Sequence, residues 1–158
     1  MNRIRTGVVT AVVLAAAGTT AVVTATSPAS AGTSPQTFTI RVHQGSEKQL
    51  DLGRTGFSAG DEDLFTGSLT QGSAAAGHLV GTCTNVRVGR TADLLCQYSL
   101  RLAGGQITAF GSVTSSQSGP GTFALAITGG TGRYNNAAGQ LNVTATTGDS
   151  FPIQVVLR

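Results

Sequence analysis

The sequence predicts an all-β fold, an eight-stranded antiparallel β-barrel, on three observations. From residue 37 onward, hydrophobic residues alternate with small or polar ones, which is the period of a strand with one buried face. Turn-forming residues separate the alternating segments at regular spacing, a pattern typical of barrels and sandwiches. No segment between them has a helical period, so no crossover helix is available to join parallel strands and the sheet should be antiparallel.

Composition places the chain among single-domain globular proteins. Its 158 residues are 40% hydrophobic and 11% charged. That length is enough for one domain with a buried core and too short for a two-domain enzyme. The hydrophobic fraction excludes an intrinsically disordered chain, because such chains lack the apolar residues needed to form a core.

Residues 1–31 have the features of a secretory signal peptide. Arg3 and Arg5 precede an apolar run over 8–17, and residues 29–31 match an A-x-A cleavage site. The apolar run is shorter than the roughly 20 residues that a membrane-spanning helix needs. We therefore expect the protein to be secreted, with no membrane attachment after cleavage.

The expected mature chain is a flexible arm over 32–36 followed by one barrel domain over 37–158. Loss of the two leader arginines lowers the formal net charge from +3 to +1. So small a charge gives no basic patch for a phosphate backbone, and we expect no nucleic-acid partner.

Each strand is placed on an alternating run that ends at a turn signal. Glycine-containing turns at 72–73, 89–90 and 104–105 precede the third, fourth and fifth runs respectively, and such turns favour hairpins. The apolar face is clearest in the first, second, sixth, seventh and eighth runs, whose first apolar residues are Phe38, Phe65, Phe123, Leu141 and Phe151. The expected strands cover residues 37–44, 63–71, 78–88, 92–103, 106–115, 121–128, 138–147 and 151–157.

The two cysteines are predicted to form a disulfide. A two-residue turn at 89–90 pairs Val88 with Thr91 and therefore places Cys83 directly opposite Cys96. The pair falls in a non-hydrogen-bonded position, where facing side chains are closer. Outside the cytosol such a pair is most simply a disulfide, and the two cysteines with two scattered histidines do not make a zinc-ligand spacing.

The same register sorts the faces of the three middle strands. A turn at 104–105 places Tyr98 opposite Gly111, and the face that holds both is otherwise apolar. This predicted interior has no carboxylate, lysine or histidine, so it offers no ordinary group for acid–base catalysis except the Tyr98 phenol. Eight strands enclose either a filled core or room for one small ligand, and both alternatives stay open. The ligand-pocket candidates are Phe65, Leu69, Asn85, Arg87, Tyr98 and Ala109.

Other conspicuous residues have mainly structural interpretations. Gly129, Gly130, Thr131 and Gly132 lack the third glycine of a dinucleotide fingerprint, so we interpret them as a structural turn. The acidic run 61–63 is expected to be solvated, although it could rim the barrel mouth or form half of a cation site. No metal or cofactor site is predicted.

Surface residues indicate a self-association face. His43 and His78 are expected to point outward, as are Val80, Val86 and Phe110. Exposed apolar side chains that lie together commonly mark a subunit interface. A homodimer or a homotrimer is therefore a candidate assembly.

The segment 126–141, A-I-T-G-G-T-G-R-Y-N-N-A-A-G-Q-L, resembles the signature of allene oxide cyclases and plant dirigent proteins. The resemblance covers roughly residues 60–158, and with the two cysteines it is most similar to the secreted bacterial branch of that barrel superfamily. It implies an eight-stranded, calycin-like antiparallel barrel with an apolar pocket, no metal and no organic cofactor. Matching upstream pieces are Gly60-Asp61, Phe65-Thr66-Gly67, Val80-Gly81, Tyr98-Ser99-Leu100 and Gly104-Gly105-Gln106-Ile107.

The resemblance implies two kinds of chemistry. Allene oxide cyclases hold a fatty-acid epoxide while it closes into a ring, and dirigent proteins hold phenoxy radicals or quinone methides so that coupling has one handedness. The cyclase residues do not carry over: Leu64 stands in place of a proline, Arg87 in place of the pocket cysteine, and no residue between 38 and 51 aligns with the catalytic glutamate.

We therefore expect a secreted barrel that binds a small apolar molecule. Isomerase-like guidance of cyclisation or coupling is one hypothesis for its function. The other is a non-catalytic carrier or surface interaction module. Whether the protein is an enzyme stays open at this point.

Overall fold

A computed structural model describes residues 35–116, 119, 121–146 and 148–158. In this part of the chain each strand pairs with the next, and the last pairs with the first, so that the sheet closes into an eight-stranded antiparallel barrel. The predicted fold is confirmed. The predicted signal peptide, with residues 32–34 of the arm, lies outside the described residues and stays a prediction.

The strands lie close to the expected positions, except that β1 continues to Leu50 where the prediction ended it at residue 44. No helix within the described ranges is long and apolar enough to cross a membrane. The strands are β1 (Gln36–Leu50), β2 (Glu62–Gln71), β3 (Ala74–Arg87), β4 (Ala92–Leu102), β5 (Gly105–Ser115), β6 (Thr122–Gly132), β7 (Gly139–Thr144) and β8 (Ser150–Leu157).

The antiparallel order gives the barrel two distinct ends. We call upper the end with the β1–β2, β3–β4, β5–β6 and β7–β8 connections. The lower end holds the other three connections, the start of β1 and the end of β8.

The middle of the barrel is filled by aliphatic side chains. Since alternate residues of every strand point inward, eight strands deliver their apolar faces to one core. Transfer of each such side chain from water stabilises the fold by roughly 1.5–3 kcal/mol. The largest of these, all below 2% exposed, are Ile40, Leu69, Leu79, Leu100, Ile107, Leu125, Leu141 and Ile153.

The disulfide prediction is confirmed. Cys83 is directly opposite Cys96 in the β3–β4 ladder, and the two are bonded. A bulge follows at Asn85–Arg87, so that Arg87 pairs with Asp93. The irregularity therefore lies between the cysteines and the turn, and it leaves the predicted cysteine register intact.

The predicted β4–β5 register was wrong by two residues. Leu102 pairs with Gly105, and Tyr98 therefore faces Ala109 rather than Gly111. A shift of two residues keeps each side chain on its own face, because side chains alternate with a period of two. The assignment of the inner face survives the error.

The interpretation of the glycine motif as a turn was wrong. Gly129, Gly130, Thr131 and Gly132 form the end of β6, and the chain turns after them at 133–136. Gly130 has no room for a side chain, since a Cβ there would clash with the carbonyl oxygens of Gln106 and Tyr134. The motif lets neighbouring backbone approach closely.

We predict that loss of the disulfide lowers the free energy of unfolding without changing the fold. The bond joins residues 13 apart in sequence, and closing a loop of this size stabilises a protein by roughly 3 kcal/mol. The variant Cys83→Ala/Cys96→Ala should show this loss in urea denaturation. Its stability should not respond to dithiothreitol, whereas that of the wild type should fall. Equal urea midpoints for variant and oxidised wild type would contradict the prediction.

Candidate functional site

A cavity of about 330 Å³ opens at the upper end of the barrel. Its size is that of a small-molecule pocket. Much of the wall is apolar, built from Val42, Phe65, Leu79, Leu94, Val113, Phe123, Val143, Ala145 and Phe151. Polar side chains around it include those of Gln44, Glu47, Asp63, Ser115 and Thr146. The Cys83–Cys96 disulfide also lies in the wall.

Three aromatic rings in the wall of this upper cavity contact one another, with Tyr98 touching both of the others. Tyr98 lies edge-to-face with Phe65 at 5.2 Å between ring centroids and with Phe123 at 6.5 Å. Such arrangements are the favoured geometry of aromatic pairs. A Cβ on Gly81 would clash with the Phe65 ring, so the absence of a side chain at Gly81 leaves the space that this ring occupies. Packing on both sides fixes the orientation of Tyr98.

The Tyr98 hydroxyl is a neutral polar group in the wall. The residue is only 6% exposed, and no hydrogen bond joins its hydroxyl to any residue that the structure describes. Burial raises the pKa of Tyr98 to about 12. The phenol is therefore neutral at physiological pH, and it can donate a hydrogen bond to a ligand.

The expectation of an uncharged lumen was wrong at the upper end. Asp63 lines the cavity because it lies two residues before Phe65 on the same face of β2. Glu47 lines it because a bulge between Gln44 and Glu47 shifts the register of β1, after which Glu47 faces Phe65. The Gln44 side chain donates a hydrogen bond of 2.6 Å to the Glu47 carboxylate.

The environment of Asp63 raises the pKa of its carboxyl group. Burial is the largest influence and raises the pKa of this carboxyl. The side chain of Gln49 acts in the opposite direction, the negative charge of Asp61 adds to the increase, and the net shift is upward. A carboxyl with a raised pKa beside an apolar cavity is suited to proton transfer.

Asp61, in contrast, has a structural role. Its carboxylate accepts hydrogen bonds from the Ser58 backbone at 2.6 Å, the Leu52 backbone at 3.0 Å and the Ser58 hydroxyl at 3.2 Å. These bonds, led by that from the Ser58 backbone, lower the pKa of Asp61. The acidic run thus serves to anchor the β1–β2 loop and to line the cavity. Across the described segments no three His, Cys, Asp or Glu side chains group so as to hold a metal ion.

Two of the six pocket candidates lie on the cavity wall, namely Phe65 and Tyr98. Leu69 and Ala109 are buried in the core. Ala109 lies opposite Tyr98 in the β4–β5 ladder, with Gly81 on the other side. The two small residues leave room for the Tyr98 ring.

The other two candidates lie away from the cavity wall. Asn85 is 3% exposed, and its backbone bonds to Gly60 and Asp61 at the end of the β1–β2 loop. Arg87 is exposed and forms an ion pair of 2.7 Å with Asp93. That contact lowers the pKa of the Asp93 carboxyl and satisfies the arginine at the surface.

The outer face agrees with the expected side-chain directions. His43 and His78 are exposed, as are the apolar side chains of Val80, Val86 and Phe110, each between 44% and 54%. Leu64 and Leu95 extend this exposed apolar set. Homodimer or homotrimer formation stays a prediction.

The comparisons with solved structures show proteins with the same barrel fold. Pyocyanin demethylase is 28% identical, with a TM-score of 0.67 over 78% of this chain and 98% of its own. AbnU, an exo-specific intermolecular Diels-Alderase, is 16% identical, with a TM-score of 0.61 over 79% and 98%. The pterocarpan synthase dirigent protein PsPTS1 is 15% identical, with a TM-score of 0.55 over 78% and 91%.

This chain has the barrel fold of the allene oxide cyclase and dirigent-like proteins that its sequence resembles. No family model and no curated protein sequence matches it. The likeness to known proteins therefore lies in the barrel fold, and the chemistry of this chain follows from its own cavity.

We predict that Tyr98 ionises only near pH 12. The chain has two tyrosines and no tryptophan, so in a Tyr134→Phe variant the phenolate absorbance near 295 nm reports Tyr98 alone. An unfolded tyrosine ionises near pH 10, so the barrel should lose stability as the pH rises from about 10 towards 12. A midpoint near 10 in a chain that circular dichroism shows to be folded would contradict the prediction.

Proposed function

We propose that this barrel binds a small, largely apolar metabolite in the upper cavity and guides its cyclisation or coupling. One observation carries the proposal: a largely apolar cavity of about 330 Å³ is lined by two carboxyl groups and by a buried phenol that bonds to none of the described residues. A cavity used only for packing has no need of these polar groups. They are placed where a bound molecule would meet them.

Orientation is the first contribution of the site. The packed rings of Phe65, Tyr98 and Phe123 present rigid faces to a ligand, which limits the conformations that it can adopt. Holding reacting atoms in a productive geometry can lower a barrier by several kcal/mol. The filled core below the cavity excludes water from that side.

Proton transfer is the second contribution. Tyr98 would donate a hydrogen bond to a ligand oxygen and stabilise negative charge that develops there. Asp63, whose pKa is raised, would supply a proton to such an oxygen. Glu47, held by Gln44, would serve as a second carboxyl group at the same mouth.

The structural neighbours support chemistry of this kind. One is named as a Diels-Alderase, one as a demethylase of pyocyanin and one as a pterocarpan synthase dirigent protein. All three names describe reactions of small organic molecules on this barrel. We extend only the general class, guided reaction of a small molecule, to this chain.

We further propose that the protein works outside the cell as a homo-oligomer. The disulfide is compatible with an oxidising compartment, and the sequence of residues 1–31 fits a signal peptide. The exposed side chains of Val80, Leu95 and Phe110 lie on three adjacent strands. A second copy of this chain is the occupant that we propose for this exposed apolar face.

We predict that the neutral fluorescent probe N-phenyl-1-naphthylamine binds in the upper cavity. Ala145 lines the cavity, so Ala145→Phe should weaken binding about tenfold, since overpacking costs 1–3 kcal/mol. Thr144→Phe is the matched control, because Thr144 is the exposed neighbour. Fluorescence titration measures both. Equal affinity for Ala145→Phe and wild type would place the probe elsewhere and contradict the assignment.

We predict catalysis on an ortho-quinone methide that carries a tethered hydroxyl. The hydroxyl oxygen attacks the exocyclic carbon, the quinone oxygen becomes a phenol by gaining a proton from Asp63, and the hydroxyl proton returns to Asp63. Chiral chromatography should show one enantiomer in excess. Asp63→Asn should slow the reaction about a hundredfold, the usual contribution of a general acid, and Tyr98→Phe should reduce the enantiomeric excess. Racemic product at the buffer rate, with the probe still bound, would favour the non-catalytic carrier.

A further inference from the structure

We propose that the lower end of the barrel carries a second binding site, for a small organic anion with an apolar body. A cavity of about 270 Å³ opens there. Its apolar wall includes Phe38, Ile40, Leu102 and Tyr134. The filled core separates it from the upper cavity, so this site is additional to the proposed function and does not depend on it.

Arg133 supplies a positioned positive charge at this lower cavity. Its guanidinium carbon lies 5.3 Å from the centroid of the Tyr134 ring, and Tyr134 is itself buried. Stacking on a ring face holds the guanidinium while its N–H donors, which lie in the plane of the group, stay available. The aliphatic part of the side chain lies against Gly104, where a Cβ would be 2.6 Å from the Arg133 Cδ.

The charge of Arg133 has no partner of opposite charge among the residues that the structure describes. No ion pair or side-chain hydrogen bond to its guanidinium occurs in the described ranges. Arg87 at the upper end is the contrasting case, since Asp93 pairs with it at 2.7 Å. An arginine that the fold positions but leaves unpaired, at the edge of an apolar cavity, is a binding group for an anion.

The distribution of charge over the whole barrel favours the same ligand class. All seven acidic residues of the sequence lie towards the upper end: Glu47, Asp51, Asp61, Glu62, Asp63, Asp93 and Asp149. The lower end has Arg101, Arg133 and Arg158 and no acidic side chain. The potential at the lower mouth is therefore positive, and it attracts anions while it disfavours cations.

The shape of the site sets the rest of the ligand. Ile40 is 1% exposed and Tyr134 is 8% exposed, so the inner part of the cavity is apolar and largely shielded from water. Gln71 is its other polar lining side chain besides Arg133 and the Tyr134 phenol. A carboxylate or sulfonate attached to a flat or aliphatic body fits this site, because the anionic group can bind Arg133 while the apolar body occupies the inner part of the cavity.

The experiment compares 1-anilinonaphthalene-8-sulfonate with N-phenyl-1-naphthylamine, which is the same molecule without the sulfonate. We expect Arg133→Gln to weaken binding of the anionic probe by roughly tenfold or more, the loss of a charge-assisted hydrogen bond. Added salt should weaken its binding to the wild type. Arg101→Gln is the control, because Arg101 lies at the same end on the outer face and should leave the affinity unchanged.

Location is tested separately with Ala76→Phe, which fills the lower cavity, and Ala145→Phe, which fills the upper one. Binding of the anionic probe should be lost in the first and kept in the second. Methyl NMR signals of Ile40 and Leu102 should shift with the anionic probe, while those of Leu94 and Val113 should not. No binding of the anionic probe to the wild type, the same affinity in Arg133→Gln, or loss only in Ala145→Phe would each overturn the proposal. None of these results bears on binding of the neutral probe above.

Discussion

Closure of the sheet is the constraint on which the rest of the structure depends. Since β8 pairs with β1, every strand has two partners, and each inward side chain is held at one height inside a cylinder of fixed width. Whether a level of the barrel is filled or open then depends only on the volume of the side chains delivered there. Leucine and isoleucine fill the middle, where the largest side chains are below 2% exposed. At the two ends the supply of large side chains falls short, and cavities of about 330 and 270 Å³ remain.

Small and large residues placed side by side turn the upper space into a site. Tyr98 stands between Gly81 and Ala109 on neighbouring strands, so a ring can lie there without displacing the backbone. The same Gly81 accommodates the ring of Phe65. Burial of the phenol raises its pKa and keeps it neutral, and none of the residues that the structure describes forms a hydrogen bond with its hydroxyl. The residues that shape the wall of the upper cavity therefore also decide which polar atom faces the cavity.

The two ends of the barrel differ in charge although they share one core. The upper end carries seven acidic residues against four basic ones, Lys48, Arg54, Arg87 and Arg90, whereas the charged side chains of the lower end are all basic. A closed barrel lets these charges be set independently, since each end is built from different loops and strand termini. The upper carboxyl groups suit proton transfer to a largely apolar molecule, and the lower arginine suits capture of an anion. Both proposals follow from the placement of charge beside an apolar space.

The sequence by itself determined the strands, their inward faces and the Cys83–Cys96 pair, because alternation and tight turns are properties of neighbouring residues. The inward direction of Asp63 could also have been predicted from the sequence, since Asp63 lies two residues before Phe65 on β2 and therefore on the same face. The direction of Glu47 could not have been predicted, because it depends on a bulge that β1 forms against β2. The surface position of Arg87 could not be predicted from the sequence either, because it follows from the bulge that pairs Arg87 with Asp93. The two cavities were decided only by the tertiary structure, since an empty volume depends on how side chains from distant strands fill one level of a closed barrel.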